Sequence, residues 1–200
     1  DNAGDDCDDC AGTPNGDATE DDCGVCNGGN ADIDDCGVCF GGNADMDDCG
    51  VCNGDGSSCL ASLSLGAFDS SGSLEILYDF GGPVAGFQFD ITGLTITGAS
   101  DGAASDAGMT VSAGGATVLG FSFDNSEISA GSGVLTVLSF SDVTADATEL
   151  SLGNFGAVTD AAGNVYTTTT SGSIDHPSDC ADVYYGDSWE SDCGCVDADN

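Results

Sequence analysis

Two hundred residues contain no lysine and no arginine, against 36 aspartates and glutamates. The single histidine, His176, is the only side chain able to become a cation. No lysine or arginine salt bridge can form, and compacting charge of one sign costs self-repulsion that salt or bound cations must offset. Nucleic acid and anionic membranes are excluded as partners on charge. Without lysine or arginine there is no side-chain clamp for an oxyanion or a phosphate. Paired carboxylates occur everywhere, so a pair is no mark of a glycosidase. His176, in Ile-Asp-His-Pro-Ser-Asp, reads as a linker residue rather than a general base, and no enzyme is expected. No apolar run is long enough to span a membrane, and no signal peptide is retained. The start at Asp1, without a methionine, is read as a mature, processed chain or a segment of a longer one.

Cysteine is missing from residues 60–173 and concentrated on either side. Residues 1–59 hold nine of the 12 cysteines and 16 of the 36 acids, and residues 174–200 hold three cysteines and eight acids. Three segments follow: an arm over 1–59, a middle over 60–173 and a tail over 174–200. The middle is long enough for one core. The ends lack large apolar residues and must be stapled. Cysteine at this density indicates an extracellular setting, secreted or at the cell surface. No Asn-x-Ser/Thr acceptor occurs, while Thr167–Thr170 with Ser171 is a weak candidate for O-linked sugar.

The arm is a tandem repeat: DDCGVCNGGNADI at 21–33, DDCGVCFGGNADM at 34–46 and DDCGVCNGDGSSC at 47–59. The 13-residue period has no helical stripe, and its Gly, Asn and Asp content predicts a chain of turns. A degenerate copy stands at 5–20. The CxxC pairs allow zinc knuckles, redox motifs or disulfides. Acidic surroundings disfavour the thiolates that zinc needs, and the βαβ context of a redox motif is absent. Disulfides are therefore expected. Pairing across each acidic loop gives Cys10–Cys23, Cys26–Cys36, Cys39–Cys49 and Cys52–Cys59, with Cys7 left over. The tail segment DCADVYYGDSWESDCGC at 179–195 aligns with 9–26, so Cys180–Cys193 is expected and Cys195 is left over. The flanks of Cys195 and Cys7, joined across two copies, approximate one repeat. A head-to-tail bond between them would generate an open filament, with Trp189, Tyr184 and Tyr185 as a docking patch.

Alternating oxygen side chains on a glycine-rich backbone are how calcium loops are built. The candidates are Asn30, Asp32, Asp34 and Asp35, then Asn43, Asp45, Asp47 and Asp48. Asp17, Asp21 and Asp22 form a degenerate set, with Asp55 in a last one. A solvated acidic spacer that gathers cations diffusely is the alternative.

These DDCGVCxGGN units resemble the cysteine- and aspartate-rich repeats of secreted bacterial surface proteins, and more distantly thrombospondin type 3 repeats. The latter resemblance implies wrapped calcium and chained disulfides, though the period here is shorter and consecutive aspartates are fewer.

The middle shows short apolar runs between Gly/Asp/Ser turns, at 60–68, 73–80, 84–91, 109–113, 116–123, 133–140, 148–153 and 164–170, with 94–97 as a ninth. An antiparallel β-sandwich follows. TDAAGNVY at 159–166 reads as a hairpin. Phe87, Phe89, Phe121, Phe123, Leu135, Val137, Leu138 and Phe140 are the core candidates. The runs VAGFQFDITGL at 84–94 and VLGFSFDNSEISAGSGVLTVLSFS at 118–141 resemble a cohesin module. That resemblance implies an all-β, nine-stranded jelly-roll sandwich on the cell exterior and a protein partner. Two functions emerge: a filament subunit built head to tail from copies of itself, stiffened by calcium and disulfides, and a cohesin-like binding module on a calcium-stiffened stalk. A calcium-sequestering matrix protein is a third, which would not need the patterned core. A glycan or a surface anchor is a further class of partner.

Overall fold

The computed structural model describes residues 8–47, 49–191 and 194–196. The chain divides into two compact units, 1–57 and 58–200. The second unit is an all-β jelly-roll sandwich. Its strands are β1 (Leu60–Asp69), β2 (Ser73–Phe80), β3 (Gly86–Thr92), β4 (Leu94–Ser100), β5 (Thr110–Gly114), β6 (Thr117–Phe121), β7 (Gly131–Val143), β8 (Ala147–Ser151), β9 (Ala157–Thr159), β10 (Thr167–Ser171) and β11 (Ser173–Asp175). One sheet runs β10-β1-β2-β7-β4 and the other β11-β8-β3-β6-β5, with β9 also on β3. All pairs are antiparallel except β1 with β10. A one-turn helix, α1 (Gly102–Asp106), and a tail hairpin of β12 (Trp189–Ser191) and β13 (Gly194–Val196) complete the unit.

Period-2 alternation decides which residues enter the core. Leu63, Leu74, Ile76, Phe80, Phe87, Phe89, Ile91, Val118, Leu135, Leu138 and Val158 are buried between the sheets. Gly120 faces the same interior. It lies opposite Phe87 in the β3–β6 register, and a methyl there would fall on the Phe87 ring. The Phe87 ring therefore packs over a bare backbone.

Of the expected core, Phe87, Phe89, Leu135, Leu138 and Phe140 are buried, and Val137 is half-buried. Phe123 is not: it is 85% exposed. The strand expected over 116–123 stops at Phe121 because the Asp124 carboxylate draws in the Ser122 and Ser126 hydroxyls and the Ser126 N–H, turning the chain. Phe121 sits on the outward side of β6, between Gly120 and that turn. The expected 159–166 hairpin is present as a Thr159–Val165 bridge closed by the Asp160 N–H on the Asn164 carbonyl.

Candidate functional site

The same ten-residue loop occurs five times among the described residues, four times in the arm and once in the tail. Each is organised by one aspartate, Asp9, Asp21, Asp34, Asp47 or Asp179. In the second loop the N–H groups of Cys23 and Val25 donate to Asp21 Oδ1 at 3.0 and 2.9 Å, and the Asn30 N–H donates to Oδ2 at 3.0 Å. Asp34 takes the N–H groups of Cys36, Val38 and Asn43, and Asp47 those of Cys49, Val51 and Gly56. Asp9 takes those of Ala11, Thr13 and Ala18, and Asp179 those of Ala181, Val183 and Ser188. The backbone repeats as faithfully: each latch aspartate donates its own N–H to the carbonyl four residues on. The glycine seven residues after the latch (Gly16, Gly28, Gly41, Gly54 or Gly186) lies against the carboxylate, where a side chain would collide with it.

Charge-assisted hydrogen bonds of this kind favour the ionised carboxylate. They hold all five latch carboxyls below the ordinary aspartate value, the N–H of the fourth following residue being the foremost cause in each. Two loops add a reciprocal pair. The Asn30 amide donates to Asp22 Oδ2 at 2.8 Å while its oxygen accepts the Asp22 N–H, and Asn43 does the same with Asp35. The sequence candidates for calcium are thus distributed as follows. Asp21, Asp34 and Asp47 are latches, Asn30 with Asp22 and Asn43 with Asp35 are hydrogen-bonded pairs, and Asp55 accepts the Ser57 N–H. Asp17, Asp32 and Asp45 lie outside these latches and pairs, and Asp48 lies outside the described residues. Among the described residues no three His, Cys, Asp or Glu side chains form a metal-holding group.

The disulfides correct the expected pairing. They join Cys10 to Cys26, Cys23 to Cys39, Cys36 to Cys52 and Cys180 to Cys195. These replace the expected Cys10–Cys23, Cys26–Cys36, Cys39–Cys49, Cys52–Cys59 and Cys180–Cys193 bonds. Cys49 and Cys59 are each disulfide-bonded. Cys195, engaged with Cys180, is not available for the expected bond to Cys7. Cys7 and Cys193 lie outside the described residues. The physical reason is the loop's shape. Cys26 bridges back to Glu20 and Cys39 to Ile33, so the last cysteine of each loop stands at its entrance, beside the preceding loop. The first cysteine then bonds forward. Shortest-loop spacing could not register this.

The tail loop packs on the sandwich through aromatic residues. His176 is buried, not a linker residue. Its Nε2 lies 2.7 Å from the Thr148 hydroxyl and its Nδ1 2.7 Å from the Tyr185 hydroxyl. Its ring centre is 4.9 Å from that of Phe68, on which Tyr185 also stacks at 5.9 Å. Burial pushes the imidazole below its usual pKa, with Asp175 opposing. Tyr184 donates its hydroxyl to Asp146 at 2.9 Å.

A second feature is apolar. Thr117, Leu119 and Phe121 point outward from β6, with Gln88 and Asp90 beside them on β3. Phe123 meets Phe121 edge-on at 4.8 Å. The β8–β9 connection passes over Asp90 at Gly153 and presents Phe155, 86% exposed.

The sequence matches no family model and no curated protein. Its fold is similar to solved cohesins. A non-cellulosomal cohesin from the archaeon Archaeoglobus fulgidus is 15% identical, with a TM-score of 0.40, over 55% of this chain and 85% of that one. The sixth cohesin of Acetivibrio cellulolyticus scaffoldin B, solved with a Cel5 dockerin, is 14% identical at TM-score 0.44, over 57% and 97%. The third ScaB cohesin of R. flavefaciens, solved with a group 1 dockerin, is 17% identical at 0.43, over 57% and 93%. On its own topology the second unit is a two-sheet jelly-roll sandwich carrying an aspartate-latched tail loop.

Proposed function

We propose that this chain is an extracellular protein-binding module whose sandwich is accompanied by a disulfide-laddered, aspartate-latched spacer. The outward face of the β8-β3-β6-β5 sheet carries the reading: Leu119, Phe121, Phe123 and Phe155 leave aromatic and aliphatic surface uncovered among small polar residues. Exposed apolar patches of this kind mark interaction sites. A net charge of −36 selects the partner's chemistry, an apolar surface rimmed by lysine or arginine. Binding would then weaken with salt, since the rim attraction is screened while the apolar centre is not. A photo-crosslinking residue at Leu119 and, as a control, at Ser62 on the other sheet tests this in the native secretions. A single basic species captured at 119 and not at 62 supports the module. Equal capture at both positions, or none, removes it.

A filament of copies joined head to tail is the second reading. One observation favours it: the loop Asp179–Ser188 repeats the loop Asp9–Ala18 hydrogen bond for hydrogen bond. Calcium enters this proposal as counter-charge gathered by the outward carboxylates of the arm, Asp17, Asp32 and Asp45 foremost. Latch formation itself uses backbone N–H groups and needs no ion. Negative-stain imaging with and without chelator separates the readings, because only a filament gives ordered fibres that the chelator loosens.

A further inference from the structure

The tail loop departs from all four counterparts at four positions, Asp182, Tyr184, Tyr185 and Ser188, and the first three line one cleft. Gly12, Gly24, Gly37 and Gly50 of the arm are replaced by Asp182, Pro14 or cysteine by Tyr184, and Asn15, Asn27, Phe40 or Asn53 by Tyr185. Tyr184 and Tyr185 hold the loop to the sandwich, but Asp182 has no such use. It adopts φ +61°, where glycine is unstrained, and among the described residues its carboxylate meets no hydrogen-bond partner. Every copy of the loop is left-handed at this position, and this one alone replaces the glycine there by a charged residue. The cleft, about 480 Å³, is closed opposite by the turn at Ser70–Gly72 and by the end of β7 at Phe140–Val143.

We propose that this cleft binds a neutral saccharide. The Tyr185 ring is fixed by its hydroxyl on His176 and by stacking on Phe68, and so offers a rigid platform to the C–H face of a sugar. The Asp142 and Asp182 carboxylates accept sugar hydroxyls, and the Ser141 and Tyr184 oxygens, whose own protons go to Asp142 and Asp146, add further acceptors beside Ser71. The volume falls within the roughly 300–1,000 Å³ of small-ligand sites. Anions are repelled by the net charge. A small cation finds carboxylates over the whole chain and gains nothing from a flat ring walled by hydroxyls, which is what this cleft adds.

Saturation-transfer NMR and calorimetry on the full chain provide the test, using neutral disaccharides of glucose, galactose, mannose, xylose and N-acetylglucosamine. Glucosamine and glucuronate oligomers serve as the cationic and anionic arms. At least one neutral disaccharide should bind with a Kd near or below ~1 mM. Asp182→Gly and Tyr185→Asn install residues that the arm loops carry, so the latch is retained. Tyr185→Asn also removes the His176 hydrogen bond that docks the loop, which makes Asp182→Gly the decisive variant. Amide exchange at Val183 and Ser188 checks that its loop stays latched. Each variant should weaken binding at least ~10-fold, as loss of a hydrogen bond to a charged group or of a stacking face implies. Failure of all neutral sugars at ~10 mM, equal binding by both variants, or tighter binding of the cationic oligomer would overturn the proposal.

Discussion

Removing one rung of the arm measures what the ladder contributes. Among the described residues none of the buried core side chains precedes Ala61, and the arm has disulfides, latches and turns in place of a core. Cys36 and Cys52 are 16 apart in sequence, and closing a loop of that size removes chain entropy worth ~3 kcal/mol from the unfolded arm. The double variant Cys36→Ser with Cys52→Ser should lose about that much local stability. At 1.4 kcal/mol per factor of ten, the open population of the segment rises ~150-fold. An aspartate-directed protease reads it directly, because cleavage between residues 36 and 52 follows the open fraction when reclosing is fast. The sandwich should resist as before. The Cys23–Cys39 rung overlaps the lost one by four residues, so new cuts should fall after Cys39 rather than before Cys36. A rate rise below ~3-fold would refute the reasoning, as would an unreduced peptide map of the unsubstituted chain giving Cys26–Cys36 or Cys39–Cys49.

Phe89→Ala, at a fully buried site in β3, should cost ~3–5 kcal/mol in denaturant unfolding of the sandwich while leaving the arm's protease resistance unchanged. Gly41→Ala places a methyl on the Asp34 carboxylate, so it should loosen that loop, seen as faster amide exchange at Val38 and Asn43 than in the neighbouring loops. Two pH windows follow. The folded state disfavours protonated His176, so the unfolded chain binds more protons just below 6.5; sandwich stability is full above that value and falls as pH drops through it toward the lower folded pKa. The latch carboxyls are also depressed, so their contribution is full above 3.8 and is lost as pH falls from there through the folded values. Tyrosine fluorescence against pH follows the first, and amide exchange in the arm the second. A stability profile flat from pH 8 to 3 would contradict both.

The sandwich was legible because each long strand buries one face, so alternation marks both the strand and its inward side. Over Leu60–Asp69, Ser73–Phe80 and Gly86–Thr92 that signal sufficed. β9 and β11, three residues each, are too short to show alternation, and α1 spans barely one turn. Phe123 was misplaced because the Asp124 turn, not hydropathy, ends β6. His176 misled because its burial depends on Phe68, Thr148 and Tyr185, which come from distant parts of the sequence. The disulfide register was hidden for a related reason, since it depends on which side of a loop each cysteine leaves. Even so, the repeat made the loop's recurrence readable. The sign for Tyr185 was its place in the repeat: a residue other than asparagine at a left-handed position that the loop imposes on all five copies.

The Asp-Asp dipeptide shows how composition and loop design meet. In the second and third loops the first aspartate is the latch and the second is held by an asparagine eight residues on. Where that asparagine is absent, as at Ala18, Gly56 and Ser188, the latch persists without the second pair. The two aspartates are therefore not interchangeable, and only the first is required by the fold. A chain without lysine or arginine has few sources of positive potential, and backbone N–H groups converging on one point are the source it retains. Three such groups on each latch carboxylate let the arm concentrate negative charge and use it as the organising element of the fold. Replacing the Asp34 latch by asparagine tests this inversion, because the amide keeps one acceptor oxygen and turns the other into a donor facing the Asn43 N–H. That loop should open, while the equivalent change at Asp35, which faces only the Asn43 side chain, should be tolerated. Equal effects from the two substitutions, read by amide exchange in the arm, would remove the distinction.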